Sequence, residues 1–169
     1  MLHAGIFGPT MSGKTTLAKH LCRGLESRGV RCLVLDPYND DWPCTWKTRH
    51  IHEFITKAKQ SRSCGLFADE AGQLDLRDPE HEWLLTGSRH FGHACHIIGQ
   101  TGVQLSPTGR AQITRLFLFR STEQTAEYWR EVFVDDRICG ATTLQRFEYL
   151  HAQMFGDVKR CKLPPPPVS

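Results

Sequence analysis

The segment Gly8-Pro9-Thr10-Met11-Ser12-Gly13-Lys14-Thr15-Thr16 constrains this chain more than any other stretch. Its spacing is G-x-x-x-x-G-K-[ST]. It lies between a short apolar run, Leu2 to Phe7, and a segment patterned as a helix, which is the setting in which such a loop binds phosphate. Glycines at its two ends allow backbone torsions that a side chain disfavours. The loop amides and the positive end of the following helix then converge on phosphate oxygens. The pattern predicts that Gly8 through Thr16 cradles a nucleotide, that Lys14 reaches its β- and γ-phosphates, and that the Thr15 hydroxyl ligates Mg²⁺. The competing reading is a glycine-rich turn that binds nothing. Lys14-Thr15 in register between strand and helix argues against it.

The rest of the chain reads as alternating strands and helices. Leu17, Leu21 and Leu25 give a helix from Lys14 to Arg28 its apolar stripe, and Gly29 stops it. Strands follow at Val30–Leu35, Cys64–Ala68, His93–Ile98 and Thr114–Phe119. Their nearly continuous apolar character suits a sheet covered on both faces. Ile51 to Gln60 reads as a short helix. A helix is expected to end near Arg89, another to open at a Ser121 capping box, and a last one, capped by Thr142 or Thr143, to carry Leu144, Phe147 and Leu150. Together these predict an α/β three-layer sandwich around a mostly parallel five-stranded core sheet. A chain of 169 residues suits one domain with a full core, expected over residues 1–160, followed by a Pro-rich extended tail over 161–169.

Composition narrows the setting. A net charge of +3 is too small to mark a nucleic-acid binder by itself, so any DNA contact requires a local patch. The seven cysteines include no C-x-x-C pair and suggest reduced, mostly buried thiols. No apolar run approaches the roughly 18 residues needed to cross a bilayer, and the expectation is a soluble intracellular protein. The loop Tyr38–Arg49 holds Trp42, Trp46, Lys47 and Arg49, which suit either DNA contact or a subunit interface.

Chemistry beyond the phosphate loop concentrates at two strand ends. Cys64-Gly65-Leu66-Phe67-Ala68 delivers Asp69 and Glu70, and in α/β sheets ligands bind at that edge. Asp69 is expected to hold Mg²⁺ and Glu70 to act as general base on the attacking water. The alternative is an acidic strand end facing solvent. The next strand ends in Gln100, placed to sense the γ-phosphate or orient water, or to make an ordinary strand-end hydrogen bond.

The motif order resembles the additional-strand, catalytic-glutamate class of phosphate-loop ATPases, which implies a strand order of 5-1-4-3-2. Further elements appear together: Leu35-Asp36-Pro37, Phe67-Ala68-Asp69-Glu70-Ala71, Ser88-Arg89-His90-Phe91-Gly92 and Ile97-Ile98-Gly99-Gln100. With the loop they are similar to the HerA–FtsK superfamily of DNA-pumping ATPases. Within it, the chain resembles the genome-packaging ATPases of tailless, membrane-containing double-stranded DNA viruses and phages. The resemblance covers about residues 4 to 120. It implies ATP and Mg²⁺ as cofactors, double-stranded DNA as partner, and a homo-oligomeric ring, usually a hexamer, with ATP at subunit interfaces. It implies a capsid vertex or viral membrane protein as docking partner, in host cytoplasm or at the virion vertex. It suggests a trans-acting arginine, with Arg89 first and Arg110 and Arg120 in reserve, each also readable as a surface or salt-bridge residue. In a ring, the loop Gly102 to Gln112 would face DNA, with Arg110 on a phosphate. Competing readings are a small nucleotide or metabolite kinase and a non-motor ATP-binding phage assembly protein. A GTPase is disfavoured because no Asn-Lys-x-Asp motif is present.

Overall fold

His3–Phe7 forms strand β1, and all five of its residues are buried. The computed structural model describes residues 2–69, 74–75 and 77–164. In it β1 runs parallel between β5 (Ala94–Gly99) and β6 (Ile113–Phe119). Beyond β5 come β4 (Gly65–Ala68), β2 (Cys32–Leu35) and β3 (Trp46–Thr48), also parallel. Beyond β6 come β7 (Glu148–Gln153) and β8 (Val158–Lys162), each antiparallel to the strand before it. The order is β3-β2-β4-β5-β1-β6-β7-β8.

This corrects the expected sheet of five parallel strands: among the described residues it has eight, in mixed orientation, within which the five expected strands, β1, β2, β4, β5 and β6, keep the relative order 5-1-4-3-2. β7 stands where a helix was expected. Leu150 and Ala152 are buried while Tyr149 and His151 are half-buried, the two-residue period of a strand with one covered face. Leu144 instead ends a 3-10 segment, Asp136–Thr143, and Phe147 reverses the chain at φ 67°. β8 is an edge strand reading Val-Lys-Arg-Cys-Lys, and its charges blunt further pairing. β3 contributes only three residues inside the segment read as a loop.

The parallel strands alternate their side chains between two cores. Ile6, Val34, Phe67, Ile98 and Phe117 face α1 (Lys14–Glu26). Phe7, Leu33, Leu66, Ile97 and Leu116 face the opposite layer, built from α2 (Ile51–Lys59), α3 (Pro79–Thr86) and α5 (Glu123–Phe133). The short α4 (Pro107–Ala111) rests beside α3, within the segment expected to be a loop. Trp42 serves neither of its expected roles. It is buried in this chain's own core, 5.9 Å from Phe67, with Lys19 over its ring. α5 is capped by Thr122, which accepts from the Thr125 N–H at 3.2 Å, one residue after the expected cap at Ser121. None of the seven cysteines is in a disulfide. Among the described residues no helix is long and apolar enough to cross a membrane.

Two histidines are interior parts of this sheet. His3 Nδ1 accepts from the Cys95 N–H at 2.9 Å, and His96 lies flat on Phe67 at 4.2 Å. Burial lowers both imidazoles from 6.5 to about 4. The unfolded chain takes up these protons near pH 6.5, and the folded protein does so only near pH 4. Their stabilising contribution is therefore complete above the unfolded value and is lost as the pH falls through this window. Denaturant titrations should show stability dropping by on the order of 4 kcal/mol between about pH 6.5 and pH 5. A flat profile there would mean that the folded protein accommodates both charged rings.

Candidate nucleotide site

The site is assembled where the parallel strands end. After Phe7 the chain turns at Gly8, whose N–H donates to the Gly99 carbonyl of β5 at 3.3 Å. The loop tightens through Ser12 N–H to the Pro9 carbonyl, 3.3 Å, and passes Met11 at φ 63°. Pro9, Thr10 and Met11 are exposed at its tip. Gly13 enters α1 at φ 110°, where a Cβ would lie 2.8 Å from Leu163 and 3.1 Å from Phe147. Both torsion and space therefore demand glycine. Lys14 opens the helix, and its ammonium donates to the Pro9 carbonyl at 2.7 Å, which keeps it over the loop. Thr16 is exposed on the first turn.

The second element is Asp69 at the end of β4, 5% exposed, with its N–H donating to the Leu35 carbonyl. The Thr15 hydroxyl donates to Asp69 Oδ2 at 3.2 Å, so residues 54 positions apart present two oxygens side by side. Glu70 lies outside the described residues. Gln100 directly follows β5 and Arg120 directly follows β6. Both line a cleft of about 560 Å³ with Gly8, Pro9, Thr101 and Thr122. The Gln100 loop is anchored from behind. Trp129 stacks on Phe7 at 5.2 Å and donates its indole N–H to the Thr101 carbonyl at 2.8 Å. Gly102, at φ 72°, permits this, since a Cβ there would meet Trp129 at 2.6 Å and Phe7 at 2.7 Å.

The other expected residues lie apart. Arg89 sits in a 3-10 turn, Ser88–Phe91, beside a hollow bordered by His3 and Thr114. Those residues begin or adjoin the starts of β1 and β6, so Arg89 is at the opposite end of the sheet from its own phosphate loop. Arg110 lies on α4 with its guanidinium 5.3 Å over the Tyr128 ring and donating to the Tyr128 hydroxyl at 3.1 Å. Sequence reasoning kept Arg120 only in reserve and did not single out the Thr122, Thr125 and Thr142 side of the cleft. A signal was available: a residue that directly follows a parallel strand next to β1 lies at the loop.

The donor set fits a nucleotide with its magnesium. Ser12 Oγ is buried within the loop with no hydrogen-bond partner among the described residues. Thr15 and Asp69 offer hard oxygen ligands, and magnesium bound to nucleotide takes one or two carboxylates and completes its shell from phosphates and water. Among the described residues no group of three or more His, Cys, Asp or Glu side chains is gathered to hold a metal ion.

The parallel sheet, the loop after β1 and the carboxylate after β4 define the fold of a phosphate-loop NTPase. No protein-family model and no curated protein matches the sequence. Solved structures do share the fold. The genome packaging NTPase B204 from Sulfolobus turreted icosahedral virus 2, in complex with ATP-gammaS, superposes with a TM-score of 0.77 at 17% identity, over 95% of this chain and 96% of that one. VirB4 of Thermoanaerobacter pseudethanolicus gives 0.71 at 11% identity, covering 98% and 90%. The pCW3 conjugation coupling protein TcpA gives 0.71 at 12%, covering 95% of this chain and 59% of that one. At these identities the likeness is one of fold, and it agrees with the superfamily resemblance read from the motifs.

Replacing Gly13 by Ala forces a side chain into the left-handed region and against Leu163 and Phe147. Urea denaturation of Gly13→Ala should show a loss of roughly 1–3 kcal/mol. Unchanged stability would mean that the loop relaxes to another path.

Proposed function

We propose that the chain is an ATP-hydrolysing double-stranded DNA translocase, and within that class a viral genome-packaging motor that pumps DNA into a preformed capsid. The observation that carries this reading is the Thr15–Asp69 hydrogen bond at the mouth of the phosphate loop. It would join two halves of a nucleotide site, in a fold shared over 95% of this chain with a packaging NTPase. The working protein is read as one domain, assembled into a homo-oligomeric ring, a hexamer, in host cytoplasm or at a virion vertex. There it meets a capsid or viral membrane protein.

The proposed roles follow from chemistry. The amides of Gly8 to Thr16 and the Lys14 ammonium bind and orient the β- and γ-phosphates of ATP. Thr15 and Asp69 would hold Mg²⁺, which neutralises phosphate charge when bound. Glu70, next in sequence to Asp69, accepts the proton of the attacking water, and Gln100 orients that water from the neighbouring strand end. Arg120 lines the same cleft and acts within its own subunit. Arg89 lies at the far end of the sheet, so its role is toward a neighbouring subunit's nucleotide. Arg110, in the segment 102–112, is proposed as a DNA phosphate contact.

Free-phosphate release from ATP, with and without long double-stranded DNA, tests the reading. Wild-type release should rise with DNA, and Lys14→Ala and Glu70→Gln should each lower it by about 100-fold or more. ADP formed without equivalent phosphate would identify a kinase instead. ATP bound without turnover, even at high protein concentration with DNA, would favour an assembly protein.

If Arg89 acts across a subunit boundary, mixtures of Arg89→Ala with Lys14→Ala should recover part of the activity absent from each alone. Mixtures as inactive as their components would remove Arg89 from that role.

A further inference from the structure

The end of the sheet opposite the phosphate loop carries a second polar cavity. Arg31 immediately precedes β2 and Arg62 lies just before β4. Because both strands run parallel to β1, these residues sit at the sheet end remote from Gly8. With Lys57, in the last turn of α2, they line a hollow of about 560 Å³ that also contains Thr45, Trp46 and Gln60. All three cationic residues are exposed.

Among the described residues no carboxylate lines the cavity itself; Glu26 stands behind its Thr45 wall, and Glu53 lines the adjoining hollow that Lys57 also borders. Arg130, Arg137 and Arg160 each pair with carboxylates elsewhere in the fold. Among the described residues, neither Arg31, Lys57 nor Arg62 is in an ion pair. Glu26 approaches this end, where its Oε1 accepts from Cys32 N–H, Thr45 N–H and the Thr45 hydroxyl at 2.7 to 2.8 Å, and it forms no ion pair with the three cations. The walls are also fixed in place. The Arg62 guanidinium lies 4.2 Å over Phe91 and donates to the Lys59 and Ser61 carbonyls. The Lys57 ammonium stands 5.9 Å over Trp46. A helix C-terminus attracts cations, which accounts for Lys57 and Arg62. It does not account for Arg31, which belongs to no helix, or for the concave grouping of all three.

We propose that this cavity is a binding site for phosphate groups, taken either from the phosphodiester backbone of a nucleic acid or from a free phosphate ligand. Ammonium and guanidinium groups with hydroxyl and amide neighbours are the chemistry that receives phosphate oxygens. The site is separate from the nucleotide loop and does not depend on ATP turnover.

Two arms separate the sources. In the first, a labelled DNA duplex of about 20 base pairs is titrated by anisotropy between about 0.05 and 0.2 M salt. The variants are the Arg31→Ala, Lys57→Ala double and a charge-matched Lys159→Ala, Lys162→Ala double on β8, at the other edge of the sheet. In the second, inorganic phosphate is titrated into Lys14→Ala protein, where the phosphate loop is disabled, and the Trp46 indole resonance is followed. If backbone phosphates occupy the cavity, the first double should lower the salt slope by about two and the affinity near 0.1 M by about 60-fold, while the β8 double does neither. If the ligand is free phosphate, DNA binding is unchanged but the phosphate-induced shift of Trp46 disappears when Arg31→Ala and Lys57→Ala are added. Wild-type binding of neither probe overturns the proposal. So does an equal loss of DNA affinity in both doubles with no phosphate shift at Trp46, or insensitivity of both arms to the cavity variants. Melting temperatures of the doubles report whether the fold is intact. Because neither arm reads ATP hydrolysis, failure here leaves the translocase reading standing, and loss of that reading leaves the phosphate arm interpretable.

Discussion

The structure depends on the burial of β1 from every side. Its backbone pairs with β5 and β6, and its side chains enter two cores, Ile6 toward α1 and Phe7 toward Trp129. Each such fully buried side chain contributes about 1.5–3 kcal/mol, so a handful of residues fixes the register of the central sheet. That register has a chemical result. Parallel strands deliver their C-termini to one edge, and Gly8, Asp69, Gln100 and Arg120 each follow a different strand there. Residues scattered over more than one hundred positions become neighbours through topology alone.

The phosphate loop was legible because its signal is local. Two glycines, a lysine and a threonine at fixed spacing specify a turn, and the apolar run before them specifies the strand that presents it. The four other buried parallel strands announced themselves in the same way, since coverage on both faces selects apolar residues at nearly every position. β7 and β8 carried a weaker signal. They extend the sheet antiparallel and bury little more than one face, so Leu150 and Ala152 alone keep the strand period, while Leu144, Phe147 and Leu150 imitate a helical spacing. Trp42 shows a related limit. An aromatic among charged residues looks like a contact surface until tertiary structure sets Trp42 against Phe67. The α5 cap falls at Thr122, one residue past Ser121, where its hydroxyl meets the Thr125 N–H.

The candidate site was legible by residue type and less so by neighbourhood. The strand-end position read for Asp69 is the one the fold gives it, with Thr15 in hydrogen-bonding contact. The separation of Arg89 and Arg120 to opposite ends of the sheet was not available from sequence, because both are arginines beside apolar strands. What differs is that Arg89 comes before β5 and Arg120 comes after β6. In a parallel sheet, before and after translate into opposite faces of the molecule.

The indole of Trp129 gives the nucleotide edge a mechanical connection. It bonds the carbonyl next to Gln100 and stacks on the residue that precedes the phosphate loop. Trp129 lies in α5, a rod of 11 residues and therefore about 16 Å long, whose capping Thr122 and first residue Glu123 line the same cleft as Gln100. The loop after β5 and this rod are thus joined through the indole. A displacement of the Thr101 carbonyl must therefore either break the indole bond or move the helix that carries Trp129.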